Sequence, residues 1–142
     1  MTISHILENR DYETITATPD MTVSDVVKLF ADKRIGAVPV VEGVEVVGIM
    51  SERDLVHCVA REGRDGIDKP VSDVMTSPPI TVDPDYNILA ALGLMTRRRI
   101  RHLPVVKDGA MIGFVSIGDL VKYRMDRIEQ DAQAMRDYIQ TV

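Results

Sequence analysis

The chain offers little chemistry through its rarer side chains. A single cysteine, Cys58, among 142 residues cannot close an internal disulfide. The three histidines, His5, His57 and His102, share no metal-ligand spacing. His57 and Cys58 are adjacent, but neighbours on a helix face different directions, so no metal site is expected. Trp is absent and aromatics make up only 4 % of the chain, which leaves Val, Ile, Leu and Met to build the core. The opening MTISHILENRDYE has no basic n-region and no apolar h-region, and no apolar run approaches the roughly 18 to 20 residues of a membrane span. These features read as a soluble, cytoplasmic chain with no membrane partner. No nucleophile stands beside a base and no Walker-type glycine-lysine loop occurs, so no catalytic residue and no enzymatic activity are expected. A net charge of −5, with no aromatics interleaved among the basic residues, argues against a nucleic-acid partner.

What is present is a duplication. Shifting the sequence by 65 residues aligns ITATPDMTV with ITVDPDYNI, KRIGAVPVV with RRIRHLPVV, and GIMSERDL (48–55) with GFVSIGDL (113–120). Further upstream, ISHIL at Ile3 to Leu7 resembles VSDVM at Val71 to Met75. The copies span 1–66 and 67–123, with a turn-rich, charged connection at 61–70, and residues 124–142 have no counterpart. At this length the two copies must share a core.

Each copy reads as a short strand at its Ile-Thr, a helix, a hairpin and a second helix. Thr22 or Ser24 caps the first helix, whose Val23, Val26, Val27 and Phe30 form one apolar face; Asn87 caps its counterpart, with Ile88, Ala91, Leu92 and Met95. Arg97 and Arg98 are explained by the negative end of the helix dipole. After the second copy, Val121, Met125, Ile128, Ala132, Met135 and Ile139 recur at alternating spacings of four and three. That stripe fits either a helix covering the chain's own core or one pairing with a second subunit.

The repeated Ser-x-x-Asp corner supports two compatible roles. Ser51 and Ser116 can cap a new helix, with Asp54 and Asp119 in its first turn. The same helix start suits a phosphate, and the Asp can accept hydrogen bonds from a vicinal diol. Taken in order and twice over, PDMTVSDVVKLFADKRIGAVPVV, GIMSERDL, VSDVMTSPPITVDPD, RRRIRHLPVV and GFVSIGDL resemble a tandem pair of CBS domains, the cystathionine-beta-synthase type repeat, as a stand-alone module.

The resemblance implies an α/β (α+β) fold: two βαββα repeats packed sheet to sheet with pseudo-two-fold symmetry, plus a long C-terminal helix. It further implies a regulatory module that binds an adenosine nucleotide such as AMP, ADP, ATP or NAD, without a cofactor or catalysis, as a homodimer acting on an unknown effector protein. By position, Asp54 and Asp119 would hold ribose hydroxyls, and Ser51 and Ser116 would lie beside ribose or phosphate. Ile15, Thr16, Ile80 and Thr81 would border the same clefts. Gly36, Ala37, Val38 and Pro39, with His102, Leu103 and Pro104, would line the adenine pockets. Arg101 and His102, just before the second Leu-Pro, are expected to contact phosphate; His102 could equally be a structural hydrogen-bonder. The competing expectation is a homodimerisation or protein-interaction scaffold with empty clefts.

Overall fold

In the computed structural model, which describes residues 1–10 and 13–141, a short α1 (Ile3–Glu8) precedes two near-copies of one unit. The first runs α2 (Val23–Lys33), β1 (Ala37–Glu42), β2 (Glu45–Ser51) and α3 (Glu52–Glu62). Two 3-10 turns, Gly63–Asp68 and Val71–Asp73, lead to α4 (Ile88–Arg98), β3 (His102–Lys107), β4 (Ala110–Ser116) and α5 (Ile117–Thr141). Among the described residues no helix is long and apolar enough to cross a membrane.

Local chemistry sets the boundaries. Thr22 caps α2 through a reciprocal pair: its hydroxyl accepts from the Asp25 N–H, and the Asp25 carboxylate accepts from the Thr22 N–H, each at 3.1 Å. Asn87 accepts from the Ala90 N–H at 3.1 Å to cap α4. Both helices stop at an arginine in the left-handed conformation, Arg34 at φ 55 and Arg99 at φ 54, where glycine is the usual occupant. The hairpins share one register, Ala37 opposite Ser51 and His102 opposite Ser116, with the same irregularity at Val40/Val41 and Val105/Val106.

The expected opening strand of each copy shrinks to a single parallel bridge, Ala17 to Val40 and Val82 to Val105. Proline explains the limit. The Ala17 N–H donates to the Pro39 carbonyl and the Val41 N–H to the Ala17 carbonyl; the next bonds in the ladder would need N–H groups from Pro39 and Pro19. Pro104 and Pro84 impose the same limit on the second copy.

Packing crosses between the copies. One core gathers Ile3 and Ile6 of α1 with Ile88, Met95, Leu103, Val105 and Leu120 of the second unit. The other gathers Val71, and the half-buried Val74 and Met75, with Val23, Val26, Val38, Val40 and Met50 of the first. The two opening turns are therefore exchanged, and the sequence copies are not the packing units. The sheets meet along β2 and β4, and the Met111 N–H of β4 donates to the carbonyl of Val44, in the turn before β2, at 2.8 Å. The stripe on α5 does not cover this core: Met125, Ile128, Met135 and Ile139 are 52–66 % exposed, and only Leu120 of this helix is buried.

Candidate functional site

Each Ser-x-x-Asp corner is a helix cap in which the acid is held by its own serine. At the first, the Asp54 carboxylate accepts from the Ser51 N–H at 2.9 Å and the Ser51 hydroxyl at 3.0 Å, while its other oxygen accepts from the Thr76 hydroxyl at 2.8 Å. At the second, the Asp119 carboxylate accepts from the Ser116 N–H at 2.8 Å and the Ser116 hydroxyl accepts from the Asp119 N–H at 3.1 Å. Both carboxylates are only half-buried and open onto a cavity. Fixed by backbone bonds on one side, each can accept further hydrogen bonds on the other.

The two cavities are built across the copies. The Asp54 cleft, about 410 Å³, sets Ser51, Glu52, Arg53 and Asp54 against Pro79, Ile80, Arg99, Ile100, Arg101 and His102 of the second copy. The Asp119 cleft, about 330 Å³, sets Ser116 and Asp119 against Thr14, Ile15, Arg34, Gly36 and Ala37 of the first, with Arg10 and Glu13. Each corner thus faces the strand opener and the helix-to-strand junction of the other repeat. Because Pro39 and Pro104 have no N–H, the strand bonds they would give to the carbonyls of Ile15 and Ile80 cannot form. Each of those two residues lines one cleft.

The clefts differ in charge. The Asp54 cleft carries Arg53, Arg99 and Arg101 against Glu52 and Asp54; the Asp119 cleft balances Arg10 and Arg34 with Glu13 and Asp119. Arg53 also donates to the Arg99 carbonyl at 3.0 Å. His102 is part of both walls, stacked on Phe114 at 5.3 Å between ring centres. Burial lowers its pKa below the usual 6.5; Arg101 adds to the effect, and Asp119 and Glu52 oppose it. At neutral pH His102 therefore offers one N–H and one acceptor nitrogen rather than a positive charge.

Of the residues expected at the site, Ile15, Gly36, Ala37, Ser51, Asp54, Ile80, Arg101, His102, Ser116 and Asp119 line one or both clefts. Val38, Pro39, Leu103 and Pro104 lie in the core beneath them, and the carbonyls of the two prolines are occupied by the N–H groups of Ala17 and Val82. Thr16 and Thr81 are exposed and belong to neither lining, where Thr14 and Pro79 take part instead. The sequence reading missed Arg34 and Arg99 as cleft residues although they align under the 65-residue shift. It also missed Arg10, for which no repeat counterpart gave a signal. Arg10 is ion-paired with Asp119 and donates to the Phe114 carbonyl.

Comparison with known proteins agrees with this architecture. The family model of the CBS domain matches residues 5–61 and again 71–126. The CBS domain-containing protein CBSX3, mitochondrial, of Arabidopsis thaliana is 38 % identical over 148 residues, covering 98 % of this chain and 72 % of the relative. A CBS-domain containing protein from Agrobacterium tumefaciens superposes with a TM-score of 0.81 at 32 % identity, over 87 % of this chain and 92 % of that one. CBSX2, whose crystal structure was solved in complex with AMP, superposes with a TM-score of 0.76 at 26 % identity, over 88 % and 96 % of the two chains.

Proposed function

This chain belongs to the CBS domain family as a tandem pair, and from that premise we propose that it is a regulatory module that binds an adenine nucleotide and makes or breaks no bond in it. The observation that carries this reading is the pair of crossed clefts, each joining a backbone-anchored carboxylate from one copy to cations and a strand-opener residue from the other. A ribose diol suits Asp54 or Asp119, the exocyclic amine of adenine suits the carbonyl of Ile80 or Ile15, and phosphate suits the arginine forks. The AMP held by CBSX2 supports the mononucleotide over the alternatives ADP, ATP and NAD, as does the modest size of each cavity. A ligand that touches both copies shifts their relative arrangement by the difference in its affinity for the two arrangements, and an effector protein would sense that shift.

Calorimetric titration with AMP tests this. Asp54→Asn and Asp119→Asn should each weaken binding at their own cleft by about tenfold or more, the usual value of a hydrogen bond to a charged group, and leave the other cleft unchanged. If both variants bind like the parent, the ribose role is wrong. If the parent releases no heat with AMP, ADP, ATP or NAD, the scaffold reading replaces the nucleotide one. The exposed stripe on α5 favours a homodimer in either case.

A further inference from the structure

The two clefts share a wall. Gly36 and His102 line both, at helix-to-strand junctions held by matched bonds: the Glu52 N–H donates to the Gly36 carbonyl at 3.0 Å and the Ile117 N–H to the Arg101 carbonyl at 2.8 Å. Under the 65-residue shift His102 stands where Ala37 does. Ala37 lines the Asp119 cleft alone, so a small side chain in place of His102 would line the Asp54 cleft alone. The imidazole reaches further and belongs to both. Its ring lies nearly parallel to that of Phe114, 12° between planes, so stacking takes up a face and leaves the two edge nitrogens for bonds in the ring plane. Among the described residues neither nitrogen has a hydrogen-bond partner, and neither is sealed from solvent.

Charged groups surround this ring. Arg101 precedes it, and Asp119 of α5 and Glu52 of α3 act on it from the two corners. Arg53, Asp54 and Arg99 complete the charged lining of one cleft, and Arg10, Glu13 and Arg34 that of the other. All of these are carboxylates or guanidiniums, types that ordinarily hold their charge around neutrality, so the imidazole is the group in either lining suited to gain a proton there. Burial, aided by Arg101, holds it neutral at neutral pH. A neutral imidazole has one N–H and one lone pair. An anionic group alone in either cleft can take the N–H, with the tautomer chosen to suit. When both clefts hold an anion, one of them meets the lone pair. That conflict is removed when the ring takes up a proton from solvent and donates from both edges.

Resting on the nucleotide reading above, we propose that His102 couples the two clefts: its single N–H goes to the phosphate of the first nucleotide bound, and binding of the second draws a proton onto the ring. Above neutrality the clefts therefore oppose each other's filling, and a fall in pH toward neutrality relieves the opposition. Occupancy of the pair then reports nucleotide and pH together, through a side chain that the first copy replaces with Ala37.

The test is calorimetric titration of the full chain with AMP at pH 7 and pH 8, in buffers of differing ionisation enthalpy, which reads the protons bound at each step. The AMP phosphate, with a second pKa of about 6, stays largely dianionic across this range and contributes little. The parent should fill two sites per chain, with more proton uptake at the second step than at the first. A whole proton taken up makes the second step about tenfold weaker at pH 8 than at pH 7, which is the upper bound of the effect. His102→Gln keeps one donor and one acceptor but cannot gain a proton, so the uptake and the pH dependence of the second step should vanish. His102→Ala, which puts the first copy's residue at this place, should abolish them as well. Equal uptake at both steps, no uptake, uptake that persists in folded His102→Gln and His102→Ala, or AMP filling a single cleft would overturn the coupling while leaving nucleotide binding in place. No binding of AMP by the parent would overturn the mononucleotide reading and this proposal with it.

Discussion

His102 stands in the wall of both clefts, half-buried against the ring of Phe114. Its position before the second Leu-Pro put it at the cleft, as the shift against Ala37 requires. Its charge was not legible, because that depends on burial against Phe114 and on Arg101, Asp119 and Glu52, which come from the connection before β3, from α5 and from α3. The depressed pKa has a signed consequence. Between the folded value and 6.5 the unfolded chain binds more protons than the folded one, so stability rises with pH through that window. The contribution is fully present above pH 6.5 and is lost as pH falls through the folded pKa. Denaturant midpoints measured from pH 8 down to pH 5 should therefore fall on the acid side, with a slope from this group of at most about 1.4 kcal/mol per pH unit. His102→Gln should flatten that limb; an unchanged limb would assign the acid sensitivity to other groups. Arg34 and Arg99 make the complementary point. Their alignment was visible, but the left-handed turn that sets each at a cleft mouth is a backbone fact. For a residue other than glycine that conformation costs about 1–2 kcal/mol.

Capped helices and hairpins were readable because their signals are local. Thr22, Asn87, Ser51 and Ser116 sit where an orphan N–H needs an acceptor, and Gly63 ends α3 at φ 65. The strand openers were overestimated because the prolines that cut the ladder lie partly in the partner strand, as with Pro39 opposite Ile15. Which copy's sheet each opening turn covers could not be read either, since a shift of 65 residues aligns like with like and says nothing of exchange. The exchange predicts the role of Gly48. A Cβ at Gly48 would lie 2.5 Å from the Met75 sulfur and 3.0 Å from the Thr76 carbonyl, and the carbonyl is backbone held to Ile49. Gly48→Ala should therefore lower stability by about 1–3 kcal/mol in equilibrium unfolding and, by displacing Thr76 from Asp54, weaken AMP at the Asp54 cleft more than at the Asp119 cleft. A variant as stable as the parent would show that the turn does not pack on β2 as tightly as described.

At the scale of the whole molecule, two cores bury Ile3 and Ile6 of α1, Val23, Val26 and Phe30 of α2 and Ile88, Ala91 and Met95 of α4, but beyond Leu120 they leave the apolar stripe of α5 uncovered. The exposed residues Met125, Ile128, Ala132, Met135 and Ile139 occupy alternate a and d positions of a heptad, starting with Met125 at a. In that frame Arg124 and Asp131 fall at g, and Glu129 and Arg136 at e. A parallel pairing with a second copy sets each g beside the e five residues on in its partner, which matches Arg124 with Glu129 and Asp131 with Arg136. Both contacts are attractive, and a dimer has each of them twice. A parallel two-stranded coiled coil of α5 is therefore the arrangement we propose for a homodimer. Sedimentation should give a dimer for the parent and a monomer for Ile128→Asp, since burying one such side chain contributes about 1.5–3 kcal/mol per copy and a carboxylate there reverses the sign. Orientation is tested by charge reversal: Arg124→Glu or Glu129→Arg alone should weaken the dimer and the double exchange should restore it. Restoration by exchanging Glu129 with Arg136 instead would mean the helices run antiparallel, because that arrangement sets Glu129 of one copy beside Arg136 of the other.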